Sequence, residues 1–170
     1  MSYEMVKKEL FKIWRTKGPV HRDQLREILS QIHIKGEAAD VLRNLQKRGY
    51  QICLISGSMK MFVEILAEKF KIEHHYGNSR FVFDDDGYWV DIEYTKGEGQ
   101  LKIEQFYDFL EKTGLEKEDC LAIGDGENDI PLFQEIPGVV VNASNEHLKE
   151  LAWQNAKYLP RILQILESIE

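Results

Sequence analysis

The sequence predicts an α/β fold, an open parallel sheet with right-handed crossovers, preceded by a purely helical segment. Three observations carry this expectation. Short apolar runs end abruptly in polar residues and glycine, as where Tyr50-Gln51-Ile52-Cys53-Leu54-Ile55 meets Ser56-Gly57-Ser58, the pattern of strands buried on both faces. From residue 50 onward such runs alternate with segments of helical period, the signature of crossover-linked parallel strands. Ahead of them, the first 35 residues carry helical periodicity alone.

The elements follow in order. Residues 2–14 place Tyr3, Val6, Leu10, Ile13 and Trp14 at helical spacing, and 21–32 do the same with Leu25, Ile28, Leu29 and Ile32. Gly18-Pro19 is the turn between them. A helix over 37–48 carries Ala38, Val41, Leu42 and Leu45 and stops at Gly49 behind Lys47 and Arg48. After the strand at 50–55, a helix spans 59–70. Arg80–Asp84 and Tyr88–Glu93 flank Asp85-Asp86-Gly87, a hairpin signal. A helix over 100–112 ends near Gly114. Cys120–Gly124 and Val139–Val141 read as further buried strands, with helices near 127–135, 145–152 and 160–169.

Composition narrows the function classes. The chain of 170 residues is 43% hydrophobic and 30% charged, with 22 Lys plus Arg against 29 Asp plus Glu. A net charge of −7 disfavours a nucleic-acid binder, whose footprint is basic. No apolar run approaches the ~18–20 residues of a membrane span, and no charged-then-apolar leader opens the chain. The two cysteines, Cys53 and Cys120, sit in apolar runs like reduced core thiols, which predicts a cytoplasmic protein.

Two strand ends carry the candidate chemistry, since ligands of open parallel sheets bind at the carboxyl ends of strands. At Ile55-Ser56-Gly57-Ser58 a hydroxyl, a glycine and the amides of a starting helix make either an anion site or a plain cap with Ser58 at its N-terminus. At Ile123-Gly124-Asp125-Gly126-Glu127-Asn128-Asp129 an apolar run ends in acids and an amide at the sheet edge. Hard oxygen donors there suit Mg²⁺, which takes one or two carboxylates plus waters and substrate phosphate.

In order and spacing, these residues resemble the phosphoserine-phosphatase-like branch of the haloacid dehalogenase superfamily. The likeness rests on Ile-Ser-Gly at 55–57 and Gly-Asp-Gly-Glu-Asn-Asp at 124–129, with Lys102 23 residues before Asp125. The nearest rival lysine, Lys96, precedes the helix. The resemblance implies a Rossmann-like open parallel sheet with helices on both faces, a β-hairpin insertion and a partial helical cap. Residues 1–35 would be the remnant of that cap and 36–170 an incomplete core. It implies a Mg²⁺-dependent phosphomonoester hydrolase acting on a small phosphorylated metabolite. By the same resemblance Asp125 would ligate Mg²⁺ and Asp129 would hold a metal-bound water. Asn128 would orient phosphate, while Ser56, the Gly57 amide and Lys102 would bind phosphoryl oxygens.

One family part is not in these residues. The family mechanism begins with Asp-x-Asp on a central strand that precedes Ser-Gly, and no Asp-x-Asp precedes Ser56. Phe81-Val82-Phe83-Asp84-Asp85-Asp86-Gly87 imitates that strand, but it follows Ser56 and a second strand-like run returns after Gly87, so a solvated hairpin turn is expected. The nucleophile and acid/base aspartates are therefore expected to be absent and the 170 residues inactive alone. A mis-called start, a fragment or a decayed gene would look alike, and the alternative function is a non-catalytic remnant binding phosphate or a protein partner. With strands ~4.8 Å apart, the missing strand would leave a gap of about 10 Å between 50–55 and 120–124, inviting strand exchange or a dimer. If Tyr3 is the family's cap aromatic, Leu10 stands at the position of its substrate-gripping arginine, which makes phosphoserine itself doubtful as the substrate. His74-His75 points to opposite strand faces, His21, His33 and His147 have no partner pattern, and Trp14, Trp89 and Trp153 are expected to pack in core or cap.

Overall fold

The structure, a computed structural model, describes residues 9, 12, 13, 16, 18–142 and 145–169. Tyr3, Leu10 and Trp14 of the first expected helix lie outside these residues, as do Ala143 and Ser144. The chain divides into two compact units, one of residues up to His33 with Ser56–Lys96, the other of Ile34–Ile55 with Gly97–Glu170. The chain passes between them inside strand β1, Cys53–Met59.

In the first unit, helix α1 (Arg22–Ser30) is shorter than its period suggested because it is capped at both ends. The His21 ring accepts the Asp23 amide at 3.3 Å while the Gln24 side chain accepts the His21 amide at 3.1 Å, a reciprocal cap. Helix α3 is Lys60–Phe70 (α2, Gly36–Lys47, belongs to the second unit), and its neighbour β2 (His74–Phe83) pairs antiparallel with β3 (Trp89–Tyr94). The hairpin turn falls where Asp-Gly predicts it. Gly87 has φ 86° and Asp84 Oδ1 accepts the Tyr88 amide at 2.7 Å. Asp84, Asp85 and Asp86 are exposed. Val20 and Arg22 bond the hairpin backbone at Trp89 and Gly87, both at 2.9 Å, and Arg26 forks onto both Glu68 oxygens at 2.7 and 2.6 Å. Leu25 and Val63 are buried in this unit.

Two expectations fail here. Strand β1 does not stop at Ser56 but runs on to Met59, and Ser58 does not cap the helix; Met59 does, without a side-chain bond. The reason is lateral pairing. The strand order β1-β2-β3 keeps residues 56–59 extended, with the Ser79 hydroxyl donating to the Gly57 carbonyl at 3.1 Å. The second failure is burial, for every residue of β1 is only half-buried.

The second unit holds α2 (Gly36–Lys47), α4 (Glu98–Thr113), β4 (Ala122–Gly124), α5 (Ile130–Glu135), β5 (Gly138–Val141), α6 (Glu146–Leu151), β6 (Gln154–Ala156) and α7 (Arg161–Glu167). Strands β4, β5 and β6 form a parallel sheet in that order. Strand β6, Gln154-Asn155-Ala156, has no apolar run and so no signal in the sequence. Its alanine joins Val41, Leu45, Val139, Ile162, Ile165 and Leu166 in one core cluster, which the α2–α7 contact closes. Trp153, expected to pack, is 43% exposed, whereas Trp89 packs edge-on against Phe81 at 5.0 Å between ring centres. Among the described residues no helix is long and apolar enough to cross a membrane.

Ile162 is 0% exposed within that cluster. Its truncation leaves a cavity the surrounding helices and strands cannot close, so Ile162→Ala is expected to cost about 2–5 kcal/mol in a urea unfolding titration. Ile169→Ala, at an exposed position, should stay within about 0.5 kcal/mol of the parent.

Candidate active site

Helix α4 buries one stripe, Lys102, Phe106 and Phe109, whose spacing of four and three residues puts them on one face. A lysine at the end of an apolar stripe must find a partner, because burying an unpaired ammonium is costly. The partner is Asp129. Lys102 Nζ lies 2.5 Å from Asp129 Oδ1 and 3.3 Å from Asn128 Oδ1, with Lys102 5% and Asp129 7% exposed. The rival Lys96 is exposed in the other unit.

The second oxygen of Asp129 is equally engaged. Its Oδ2 accepts the amides of Asp125 at 3.0 Å and Gly126 at 3.1 Å, folding residues 124–129 back on themselves at the carboxyl end of β4. This needs Gly124, since a Cβ there would lie 2.4 Å from Asp129 Oδ2. Residues Glu127–Asp129 make one 3₁₀ turn, closed by the Asp129 amide on the Gly126 carbonyl at 3.0 Å. Asn128 then sits between two α4 side chains, accepting from Lys102 and donating through Nδ2 to Glu98 Oε2 at 3.0 Å. Glu98 was not singled out from sequence. Its signal was its place four residues before Lys102, which puts both on one face of α4.

The structure therefore brings Lys102, Asn128 and Asp129 into one bonded group and sets Asp125 beside it through its amide. The carboxylates of Asp125 and Glu127 are exposed, and Asp125 is the one that directly follows β4. Among the described residues no group of three or more His, Cys, Asp or Glu side chains is arranged to hold a metal. The donors present thus fit part of a Mg²⁺ shell, one carboxylate with waters and phosphate oxygens completing it. Both oxygens of Asp129 are committed, Oδ1 to Lys102 and Oδ2 to the amides of Asp125 and Gly126. Ser56 and Gly57 lie in β1, in the first unit. There Ser56 Oγ accepts the Ser58 amide at 3.1 Å, which leaves its own proton to donate.

Beside the group, within the second unit, opens a cavity of about 370 Å³. Ile52, Cys53, Ile55, Leu121, Ile123, Lys102 and Asp129 are among the residues that line it. Ile123, expected in a buried strand, is 43% exposed, because β4 pairs with β5 alone among the described residues. Both cysteines are free and line the cavity. Burial pushes the Cys53 thiol up to about 12, with Asp108 contributing, so it stays protonated at neutral pH.

The family model for haloacid dehalogenase-like hydrolases matches residues 3–136. The phosphoserine phosphatase of Methanocaldococcus jannaschii is 25% identical over 130 residues, covering 76% of this chain and 61% of that protein. A phosphoglycolate phosphatase of Methanosarcina acetivorans is 42% identical over 72 residues, 40% of this chain and 29% of that one. The chain thus spans less than two thirds of the curated relatives it matches. The crystal structure of a phosphoserine phosphatase in apo form superposes with a TM-score of 0.71 at 24% identity, covering 86% of this chain and 74% of that one, which shows the shared fold.

Removing Lys102 strands a buried carboxylate. Lys102→Met is expected to destabilise the chain by about 3–5 kcal/mol in chemical denaturation, and adding Asp129→Asn should recover part of that loss.

Proposed function

The chain belongs to the haloacid dehalogenase-like hydrolase family, and from that premise we propose that it carries the phosphate- and Mg²⁺-binding part of a phosphomonoester hydrolase site. The observation that carries this is the buried Lys102–Asp129 pair with Asn128 in its grip and the exposed Asp125 carboxylate beside it. Phosphoryl transfer asks mainly for positioning and charge stabilisation, and each residue supplies one of these.

Lys102 has three ammonium protons, two of them spent on Asp129 and Asn128, and the third donates to a phosphoryl oxygen. Asp129 fixes that ammonium and stiffens the 124–129 loop. Asn128, locked by Glu98, orients phosphate or its waters. Ser56 and the Gly57 amide are the further phosphate donors that the family resemblance assigns. Bound Mg²⁺, with Asp125 as its direct ligand, would neutralise charge on the phosphoryl oxygens. The attacking carboxylate and the acid/base are not among these 170 residues; the three hairpin acids at 84–86 are exposed turn residues.

The substrate is a small phosphorylated metabolite, in keeping with relatives named for phosphoserine and for phosphoglycolate. Residues 1–35 are assigned to a helical cap and 36–170 to the core. Two free thiols support a reducing, cytoplasmic setting.

Calorimetric titration of Mg²⁺ in the presence of inorganic phosphate tests the site. Asp125→Asn should weaken Mg²⁺ binding at least tenfold, and equal affinity in parent and variant would sink the assignment. Hydrolysis of p-nitrophenyl phosphate by the 170 residues should stay near background. Turnover that Asp84→Asn abolishes would return the nucleophile to the hairpin.

A further inference from the structure

The first turn of α4 carries a carboxylate where an anion site has no evident use for one. Glu98 opens the helix, half-buried, four residues before Lys102, and its Oε2 accepts an Asn128 Nδ2 proton at 3.0 Å. Gly99 makes this approach possible, since a Cβ there would lie 2.8 Å from Pro131 Cγ and 3.6 Å from the Asn128 carbonyl oxygen. Around the one ammonium of Lys102 the group thus sets two carboxylates, Asp129 directly and Glu98 through Asn128. By charge alone, Glu98 repels a phosphate. An acid at a helix N-terminus complements the macrodipole without touching a neighbouring loop, so the contact with Asn128 calls for a reason of its own.

The reason lies in the two ends of a carboxamide, one a donor and the other an acceptor, which a half-turn of the last torsion exchanges. The neighbours of Asn128 are of opposite kinds. The Lys102 ammonium only donates and meets Oδ1 at 3.3 Å, and the Glu98 carboxylate only accepts and meets Nδ2 at 3.0 Å. Exchanging the ends would set the NH₂ group against the ammonium and the amide oxygen against the carboxylate, replacing two hydrogen bonds by two repulsions. We propose that Glu98 is a positioning residue for phosphate. It pins the Asn128 amide in the orientation that leaves one Nδ2 proton, together with the third Lys102 proton, for the anion, so that this carboxylate strengthens phosphate binding. The proposal rests on the phosphate-site reading above and deepens it by naming the residue that holds Asn128 in register.

The test is a calorimetric titration of inorganic phosphate into the full chain at fixed Mg²⁺. If charge alone mattered, Glu98→Ala and Glu98→Gln would both tighten binding. With the amide pinned by Glu98, Glu98→Ala should instead weaken it about tenfold, the scale of one hydrogen bond to a charged group. Glu98→Gln, whose Oε1 still accepts from Asn128, should bind at parent affinity or tighter. Alanine is a good helix former, so the first turn of α4 tolerates it. Adding Glu98→Ala to Asn128→Ala should cost no further affinity, because the acid acts through that amide; a merely structural role would give additive losses and overturn the proposal. Hydrogen exchange of the Asn128 Nδ2 protons reads the orientation without phosphate. It should quicken at least tenfold in Glu98→Ala and stay near the parent rate in Glu98→Gln, and equal rates in all three chains would also overturn it. Phosphate bound by the parent chain, with Glu98→Ala at parent affinity or tighter, removes the proposal alone. No phosphate binding by the parent chain removes the phosphate site and the proposal with it.

Discussion

The buried pair between Lys102 and Asp129 is the constraint on which the second unit's chemistry depends. A lysine on the core face of a helix is tolerated only when its charge is met, and the carboxylate that meets it must itself be satisfied. Asp129 answers both needs at once, one oxygen on Lys102 and the other on the amides of Asp125 and Gly126. The pair thereby ties helix α4 to the end of strand β4 and sets the curvature of the loop between Gly124 and Asp129. Asn128 is placed as a by-product, its amide held between Lys102 and Glu98. With three polar side chains locked, the carboxylates of Asp125 and Glu127 are left exposed on the loop that holds Asp129.

A second constraint runs along the strands. Strand β4 is the first of its sheet and β1 the end of the other, so each has one lateral neighbour among the described residues. Their residues are accordingly less buried than their composition suggests. Cys53 to Met59 are half-buried throughout, and Ile123, in the middle of a three-residue strand, stands open to the cavity. Apolar side chains and unpaired backbone on one surface are normally covered, since open edges invite pairing with other chains. Lys102, Asp129 and Ile123 line the same cavity.

Much of this was legible in the residues. The hairpin turn at Asp85-Asp86-Gly87, the helix ending at Gly114 and the run into Gly124-Asp125-Gly126 all fall where local rules put them, because each depends on a turn, a cap or a period of a few residues. Where local rules failed, a neighbour distant in sequence had intervened. Ser58 lost its cap because pairing beside β2 keeps residues 56–59 extended. Strand β6 carried no apolar signal because its polar Gln154 and Asn155 are exposed and only Ala156 enters the core. Glu98 escaped notice because its role exists only once Asn128 is brought against α4.

By itself, then, the sequence determined the α/β class, the order of the elements other than β6 and the residue types gathered at the carboxyl end of β4. These are properties of period, turn chemistry and motif spacing, all carried by neighbours along the chain. Only the tertiary structure decided which acid pairs with Lys102, which is left free, and which strand edge stays open. Those choices depend on burial. A carboxylate enclosed against an ammonium and two amides is committed, and the same carboxylate four residues earlier, at the surface, is available.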